Sequence, residues 1–228
     1  MSVAKPLVEK SVPILESGDR LSRMEFERRY GRLPHVEKAE LVEGVVYMAS
    51  PVRITHRAEP RAHVILWLGH YKVATPGVML GDNATVRLDL DNEPQPDALL
   101  RLDESAGGRS RISEDDYVEG APELIVEIAP SSASYDLHDK LRAYRRNEVR
   151  EYLVWLVREK RFHWYLLEEG QYRRRKPDAE GCLSSPFFPG LRLDVNALLA
   201  GDTREVLAKL EEALDSFEHG EFVKALRK

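Results

Sequence analysis

The chain has 228 residues, of which 43% are hydrophobic, and this is enough apolar material for one core of moderate size. The formal net charge of −5 excludes a uniformly basic nucleic-acid-binding protein, although a local basic surface remains compatible with it. The single cysteine, Cys182, excludes an internal disulfide framework and a cysteine-rich zinc site, and no apolar run approaches the roughly 20 residues that span a bilayer.

The N-terminal residues 1–20 are polar and irregular, which predicts a flexible arm. Because Lys5 and Glu9 interrupt this segment, it contains no apolar signal core, and we expect a soluble cytoplasmic protein with no membrane partner. A short helix is predicted over residues 21–30, where Ser22 would cap the helix and Glu25 would complete a capping box.

Residues 39–49 predict a strand rich in β-branched side chains, with Gly44 as a bulge or bend. Two acidic residues of this strand, Glu40 and Glu43, fall on opposite faces because strand side chains alternate. The sequence leaves open which of them faces a functional site.

A helix is predicted over residues 59–73, and His56 precedes it; a lone histidine in such a place is more often packed or exposed than a ligand. Residues 78–90 predict a long strand or a hairpin, and residues 94–102 a further strand at whose start Asp97 stands. The polar stretch 103–119 predicts a surface loop.

The most informative stretch runs from Ala121 to Tyr144. Residues 124–129 form a short apolar run between prolines, which indicates a strand buried on both faces, and Glu127 lies in its middle. A carboxylate there needs a cation or a shared proton. The chain then turns at residues 131–132 and resumes as a helix, in which Leu137, Leu141 and Tyr144 would form the inward stripe.

Lys140 borders that stripe, with Asp136 on its flank, so the helix can return an ammonium group to the side of the sheet that carries Glu127. Two interpretations follow. Lys140 and Glu127 form either a buried salt bridge or a catalytic pair, and this segment by itself favours neither.

The rest of the chain predicts a buried strand at 151–157, a hairpin formed by 161–167 and 171–176, and an apolar loop at 185–191. Two helices are predicted to close it, one near 195–199 and one over residues 203–217. We therefore expect one domain over residues 21–200, followed by a helical C-terminal extension over residues 201–228.

Asp97 and Glu127 would lie on adjacent strands, and Lys140 would return from the helix behind them. Two carboxylates in this arrangement suit a hard divalent cation that keeps several waters and meets a substrate phosphate. A bound Mg²⁺ can lower the pKa of a water molecule and stabilise charge on phosphorus, while a nearby lysine can orient or deprotonate that water.

These residues carry a family resemblance. Pro96-Asp97 followed by Glu127-Ile128-Ala129 resembles the PD-(D/E)XK nuclease superfamily. More closely, the segment 121–144, followed by a strand that begins with Glu151-Tyr152, resembles the Uma-two type of restriction endonuclease. The upstream segment 40–51 with His56 and the downstream segment 187–199 also fit, so the resemblance extends over residues 21–200.

The resemblance implies an α/β (α+β) fold with a restriction-endonuclease-like core, in which a mixed central sheet is flanked by helices. It implies that Asp97 and Glu127 bind Mg²⁺, with Mn²⁺ as a substitute, and that Lys140 is the catalytic lysine. A candidate secondary site comprises Glu40, Glu43, His56, Asp136 and Tyr144. In this chain Ala129 occupies the position of the usual lysine, two residues after the glutamate, so Lys140 must reach the site from the helix.

Three functions agree with these observations: a Mg²⁺-dependent endonuclease acting on DNA, a non-catalytic nucleic-acid or protein interaction module on the same fold, and a nuclease acting on RNA. The first is favoured by the assembled site. A homodimer is left open. The basic clusters would either be solvated surface or follow a phosphate backbone; their members are Arg142, Arg145, Arg146 and the run 173–176.

Overall fold

The computed structural model describes residues 12–48, 54–130 and 135–227 of the chain. The strand end expected at Ser50-Pro51, the turn at Ser131-Ser132 and the first half of the N-terminal arm lie outside these residues. Within the described ranges, no helix combines the length and the apolar character needed to cross a membrane.

The helices of the described chain are α1 (Arg23–Tyr30), α2 (Glu59–Ala74), α3 (Asp139–Arg146), α4 (Val195–Ala200), α5 (Thr203–Leu214) and α6 (Phe217–Leu226). The strands are β1 (Ala39–Val42), β2 (Val45–Met48), β3 (Val78–Asp82), β4 (Val86–Arg87), β5 (Ala98–Leu102), β6 (Arg111–Ile112), β7 (Val118–Glu119), β8 (Leu124–Ala129), β9 (Glu151–Leu156), β10 (Arg161–Glu168), β11 (Gln171–Arg174), β12 (Cys182–Ser184) and β13 (Arg192–Asp194). Short turns of other helix types cover Ile54–Ala58, Glu104–Ala106 and Tyr135–Leu137.

A six-stranded sheet in the order β11-β10-β9-β8-β5-β3 forms the centre of the molecule. Its neighbouring strands are antiparallel except for β8 and β9, which are parallel and are joined by the crossover that contains α3. The strands β5, β8 and β9 are buried along their whole length, as their continuous apolar runs predict. The predicted fold class, a mixed sheet flanked by helices, is confirmed.

Both faces of the sheet are covered. One face packs against α2 and the C-terminal helices, and Trp67, Trp164 and Phe188 belong to that core. The other face carries Tyr144 of α3 and Tyr152 of β9. We call this second side the α3 face, because the candidate site lies on it. A smaller third core lies under the β1–β2 hairpin and α1.

The predicted single strand over residues 39–49 is wrong in form, because the chain reverses within it. Glu43 and Gly44 adopt positive φ angles of 52° and 72°, so they form the two-residue turn of a hairpin rather than a bend. The capping box predicted for α1 is also not formed. Ser22 makes no side-chain capping bond, and Glu25 binds Arg28 and Arg29 instead.

Four further differences separate the predicted elements from the observed ones. The strand expected over residues 78–90 divides into β3 and β4, which belong to different sheets, and the predicted loop 103–119 contains β6 and β7, which pair beside β4. The segments β12 and β13 form a small ribbon that places Cys182 in a strand. The last predicted helix ends at Leu214, because Ser216 caps a separate helix α6.

The division into arm, domain and extension stays a prediction. Leu15 is buried in the hairpin core and Gly18 donates a backbone hydrogen bond to Val46, so part of the expected arm is packed. In the expected C-terminal extension, Val206 and Leu210 of α5 are buried in the main core.

Candidate active site

Asp97 and Glu127 face each other across two neighbouring strands. In the antiparallel register of β5 and β8, Ala98 pairs with Val126, so the next pair along the strands is Asp97 with Glu127. Both residues are almost fully buried, at 1% and 0% exposure. The backbone N–H of Ile128 donates to Asp97 Oδ2 at 2.8 Å, which holds the aspartate against β8. The structure therefore brings together the two carboxylates that the sequence predicted.

Glu127 is bound by two residues of α3 through only one of its oxygens. Lys140 Nζ donates to Glu127 Oε1 at 2.7 Å, and the hydroxyl of Tyr144 donates to the same oxygen at 2.8 Å. The other oxygen, Oε2, is buried and has no hydrogen-bond partner among the described residues. A buried charged oxygen without a partner is costly, and it marks a place where a ligand can be accepted.

The face that α3 turns inward includes the predicted stripe, since Tyr144 is buried and Leu137 and Leu141 pack against the same core, but Lys140 lies deeper than both leucines. Lys140, Ala143 and Tyr144 are its buried residues, whereas Leu137 and Leu141 are only half-buried. The spacing of i, i+3 and i+4 is that of one helical face, but its most deeply placed member is a lysine. Hydrophobic periodicity cannot find such a face, because the cation is held by the carboxylates beneath it.

Glu40 completes the environment of Lys140. Lys140 Nζ lies 2.8 Å from Glu40 Oε1 and 3.6 Å from Asp136 Oδ1, and the backbone N–H of Gln95 donates to Glu40 at 2.7 Å. The ammonium group thus bridges strand β8 and the hairpin. Glu43 does not join this cluster, because it lies in the hairpin turn and pairs with Arg146 at 3.1 Å.

Two aromatic residues near the lysine were not singled out by the sequence. Tyr135 donates its hydroxyl to Glu40, and Lys140 Nζ lies 5.0 Å from the centre of its ring. Tyr47 stacks on Tyr135 with ring centres 4.3 Å apart and donates to Asp139 at 2.8 Å. Tyr135 lies inside the motif that carried the family resemblance and directly precedes Asp136. This position in the sequence is the signal by which Tyr135 could have been identified as a site residue.

Arg57 is the second cation of the site, and the sequence gave no sign of it. Its Nη2 atom donates to Asp97 at 3.0 Å, and its side chain is 34% exposed. The neighbouring His56, which the sequence did nominate, forms no ion pair with a carboxylate of the described chain. The π-helical turn Ile54–Ala58 therefore directs the arginine, and not the histidine, at Asp97.

Negative charge exceeds positive charge in this cluster. Four carboxylates, those of Glu40, Asp97, Glu127 and Asp136, share Lys140 and Arg57. Burial and the adjacent Asp136 and Asp97 raise the pKa of Glu127 despite the attraction of Lys140. Burial opposes the ionisation of Glu40 too, but Lys140 and Lys38 outweigh it and lower its pKa.

The donor set fits a hard divalent cation. No group of three or more His, Cys, Asp or Glu residues is placed to hold a metal within the ranges that the structure describes. Mg²⁺ does not require such a cage, because one or two carboxylates together with waters and substrate phosphates are its usual ligands. Asp97 and Glu127 supply two carboxylates, and the partnerless Oε2 of Glu127 is a ready acceptor.

Comparisons with known proteins agree with this architecture. The Uma2 family, described as "Putative restriction endonuclease", matches residues 24–196. The crystal structure of "a putative nuclease belonging to DUF820" from Anabaena variabilis ATCC 29413 is similar, with a TM-score of 0.56 and 10% sequence identity over 80% of this chain and 97% of that chain. At this identity the likeness concerns the fold alone. No curated protein matches the chain.

Proposed function

Because the chain belongs to the Uma2 family, whose match covers residues 24–196, we propose that it is a divalent-metal-dependent endonuclease that hydrolyses phosphodiester bonds in DNA. The observation that carries this proposal is the pair Asp97 and Glu127, which face each other across β5 and β8 in a buried cluster with excess negative charge. The raised pKa of Glu127 shows that its negative charge is unfavourable without a further cation, and a bound divalent cation would stabilise the ionised form.

Asp97 and Glu127 are the residues that would hold Mg²⁺, or Mn²⁺ in its place. When bound, the metal supplies Lewis-acid stabilisation of the phosphate and a water of lowered pKa. Tyr144 fixes the carboxylate of Glu127 through its hydrogen bond to Oε1, so that Oε2 stays available. Arg57 must release Asp97, at least in part, and its half-exposed guanidinium can then bind a phosphate oxygen.

Lys140 acts as a positive charge in this proposal and not as a base. Burial opposes its protonation, but Glu127 and Glu40 outweigh burial and raise the pKa of Lys140 well above its ordinary value. The ammonium therefore keeps its proton at neutral pH. It can orient a water molecule or stabilise the charge that develops on the phosphate. Of the two roles that the sequence allowed, orienting the water is therefore kept and deprotonating it is excluded.

The competing function is a non-catalytic module in which the same residues form a structural ion-pair network. The observation that favours it is the double bridge of Lys140 to Glu127 and Glu40, which already neutralises part of the cluster. The two functions differ in what Asp97 and Glu127 do when a divalent cation is added.

Thermal melting in Mg²⁺ and in EDTA, combined with cleavage assays on plasmid DNA and on an RNA transcript, tests the proposal. At a metal concentration of about 100 times the Kd, binding to the folded state should add about 2.7 kcal/mol of stability to the wild-type protein. The variants D97N and E127Q should each lose both this gain and the cleavage of DNA, while staying folded.

The matched control is E123Q. Glu123 is also buried near the start of β8, but it accepts the backbone N–H groups of Leu102 and Arg109, so its replacement should leave the metal response unchanged. If D97N and E127Q both keep the wild-type melting shift, the metal site is assigned wrongly. A wild-type protein that binds no divalent metal and cleaves neither substrate would support the non-catalytic function, and cleavage of RNA alone would move the substrate class to RNA.

A further inference from the structure

A second group of cations lies on the same face of the sheet as the candidate site. The register places Glu127 beside Val154 of β9, and Val154 beside His163 of β10. These three residues form one line across the strands. Since neighbouring strands are about 4.8 Å apart, His163 lies about 10 Å from Glu127 on the α3 face.

Alternation along the hairpin assigns the surrounding side chains. Tyr165 packs with the core of the α3 face, and Arg161 and His163 share its side of β10 by the period of two. Arg174 of β11 pairs directly with Tyr165 and therefore belongs to the same face. We call Arg161, His163, Tyr165 and Arg174 the β10–β11 patch.

The arginines of this patch are exposed and carry no ion pair within the described part of the chain. They differ in this respect from their neighbours. Arg173, one residue away on the opposite face, pairs with Glu168 at 3.3 Å, and Arg145 of α3 donates to Gln171 at 2.7 Å. Exposed arginines that hold no carboxylate can bind a phosphate group without first breaking an ion pair.

The polar groups between the arginines also suit an anionic ligand. His163 is only 8% exposed, its Nδ1 atom lies 3.1 Å from the Tyr165 hydroxyl, and its Nε2 atom has no hydrogen-bond partner among the described residues. Burial, followed by Arg174 and Arg161, lowers the pKa of His163, and no carboxylate acts on it. The patch is therefore locally cationic and partly aromatic, which is the chemistry that binds a sugar-phosphate chain.

We propose that Arg161 and Arg174 bind the phosphate backbone of the DNA whose scissile phosphate lies at Asp97 and Glu127. This inference rests on the proposed function, since it takes the position of the scissile phosphate from it. His163 and Tyr165 provide neutral hydrogen-bonding groups between the two arginines. The pairing of Arg142, Arg146 and Arg173 with acidic residues removes them from the set of backbone contacts that the sequence left open.

The experiment measures binding of a fluorescein-labelled DNA duplex by fluorescence anisotropy in EDTA over a series of NaCl concentrations. Each phosphate contact contributes about 0.9 to the slope of log K against log salt, so R161Q/R174Q should lower the slope by about 1.8 and weaken binding at low salt at least about tenfold. The matched control is R173Q/R175Q, which removes the same charge from the same hairpin. Arg173 and Arg175 have little effect on the β10–β11 patch, because they belong to the other face of the sheet. Arg173 is the strand partner of Leu166, and the charge of Arg175 lowers the pKa of Glu151.

An unchanged slope in R161Q/R174Q, an equal loss in the control, or a wild-type protein that binds no DNA would each overturn the β10–β11 patch as the docking surface. The same loss with an RNA duplex and not with DNA would overturn the choice of DNA. If the wild-type protein cleaves DNA but R161Q/R174Q has an unchanged slope, the nuclease function is supported and this docking surface is rejected. If R161Q/R174Q has a lowered slope but the wild-type protein cleaves no DNA, the docking surface is supported and the nuclease function is rejected.

Discussion

Two buried glutamates on neighbouring strands of the sheet have opposite environments. Glu127 in β8 faces α3 among three other carboxylates and two cations, and one of its oxygens has no partner within the described chain. Glu151 in β9 lies at the other end and on the other face of the sheet. Its two oxygens accept only from neutral donors, namely the indole N–H of Trp164, the hydroxyl of Ser185 and the backbone N–H of Phe187.

The difference separates a structural carboxylate from one that can take a ligand. Both glutamates are buried and both have a raised pKa, so neither property distinguishes them. What distinguishes them is the partner set: both oxygens of Glu151 accept from neutral donors, whereas Glu127 shares a cation with Glu40 and has one oxygen without a partner among the described residues. The hydrogen-bond and ion-pair partners of a glutamate, and not its burial, therefore distinguish the candidate site residue from the structural one.

The largest expected effect is that of K140M, which removes the cation that binds Glu127. In EDTA this variant should lose about 3–5 kcal/mol of unfolding free energy, because it leaves buried carboxylates without their shared cation. Mg²⁺ should recover part of the loss, and cleavage per folded molecule should fall at least about 100-fold, because the positive charge that orients the water or stabilises the phosphate is removed. Urea unfolding with and without metal, together with single-turnover cleavage, measures both effects.

The control for this variant is K224M, since Lys224 is 73% exposed and pairs only with Glu221 on the surface. Its stability should stay close to that of the wild type. A K140M protein that is strongly destabilised, unresponsive to metal and yet cleaves normally would reduce Lys140 to a structural ion-pair partner.

A smaller effect is expected for E151Q, which tests whether Glu151 has a structural role only. At pH 6 the protonated Glu151 carries one donor hydrogen, whereas the amide of glutamine carries two, so at least one would turn toward the N–H of Trp164 or Phe187 and about 1–3 kcal/mol should be lost. The Mg²⁺ melting shift should be retained in full. Loss of that shift would show that the two ends of the sheet are not independent.

The same variant gives a pH prediction. Burial raises the pKa of Glu151 to about 7 in the folded protein, although Ser185 and Trp164 act in the opposite direction. The folded state thus binds more protons than the unfolded state between about pH 4.5 and 7, and stability from this group falls as the pH rises through that window. We expect E151Q to be less destabilised relative to wild type at pH 8 than at pH 6, as measured by urea titrations at each pH.

The smallest effect is that of R57M, which removes the cation that competes for Asp97. Metal binding should tighten about tenfold, or about 1.4 kcal/mol, because Asp97 no longer has to release a guanidinium group. Isothermal titration with Mg²⁺ or Mn²⁺ measures this change. R61M is the matched control, since Arg61 lies nearby at the start of α2 but binds the surface residue Asp82. Weaker metal binding in R57M would contradict the competition.

The sequence predicted the core of the site because local pattern determines it. A short apolar run between prolines indicated β8, and a carboxylate inside such a strand demanded a partner, which the next helix supplies as Lys140 at 2.7 Å. The parallel β8–β9 pair joined by α3 follows from the same segment. The family resemblance, confirmed by the match, extended this to the fold.

The rest of the site depends on contacts between distant segments, which no local pattern contains. Glu40 rather than Glu43 enters the site because residues 43–44 form the hairpin turn, and Arg57 reaches Asp97 because a π-helical turn precedes α2. Periodicity assigned the inward face of α3 to leucines, whereas the carboxylates of β8 and β1 draw the lysine inward. The metal and the substrate remain predictions of the family likeness and of the charge of the cluster.

The bridge between the hairpin and α3 has a consequence for the newly made chain. Tyr135 binds Glu40 across 95 residues of sequence, and the hairpin has a small core of its own that is separate from the main one. Contacts of such long separation form late, after the entropy of closing the intervening loop has been met. During synthesis, the hairpin leaves the ribosome well before the lysine that it contacts. We therefore expect the emerging chain to stay inactive until α3 has docked.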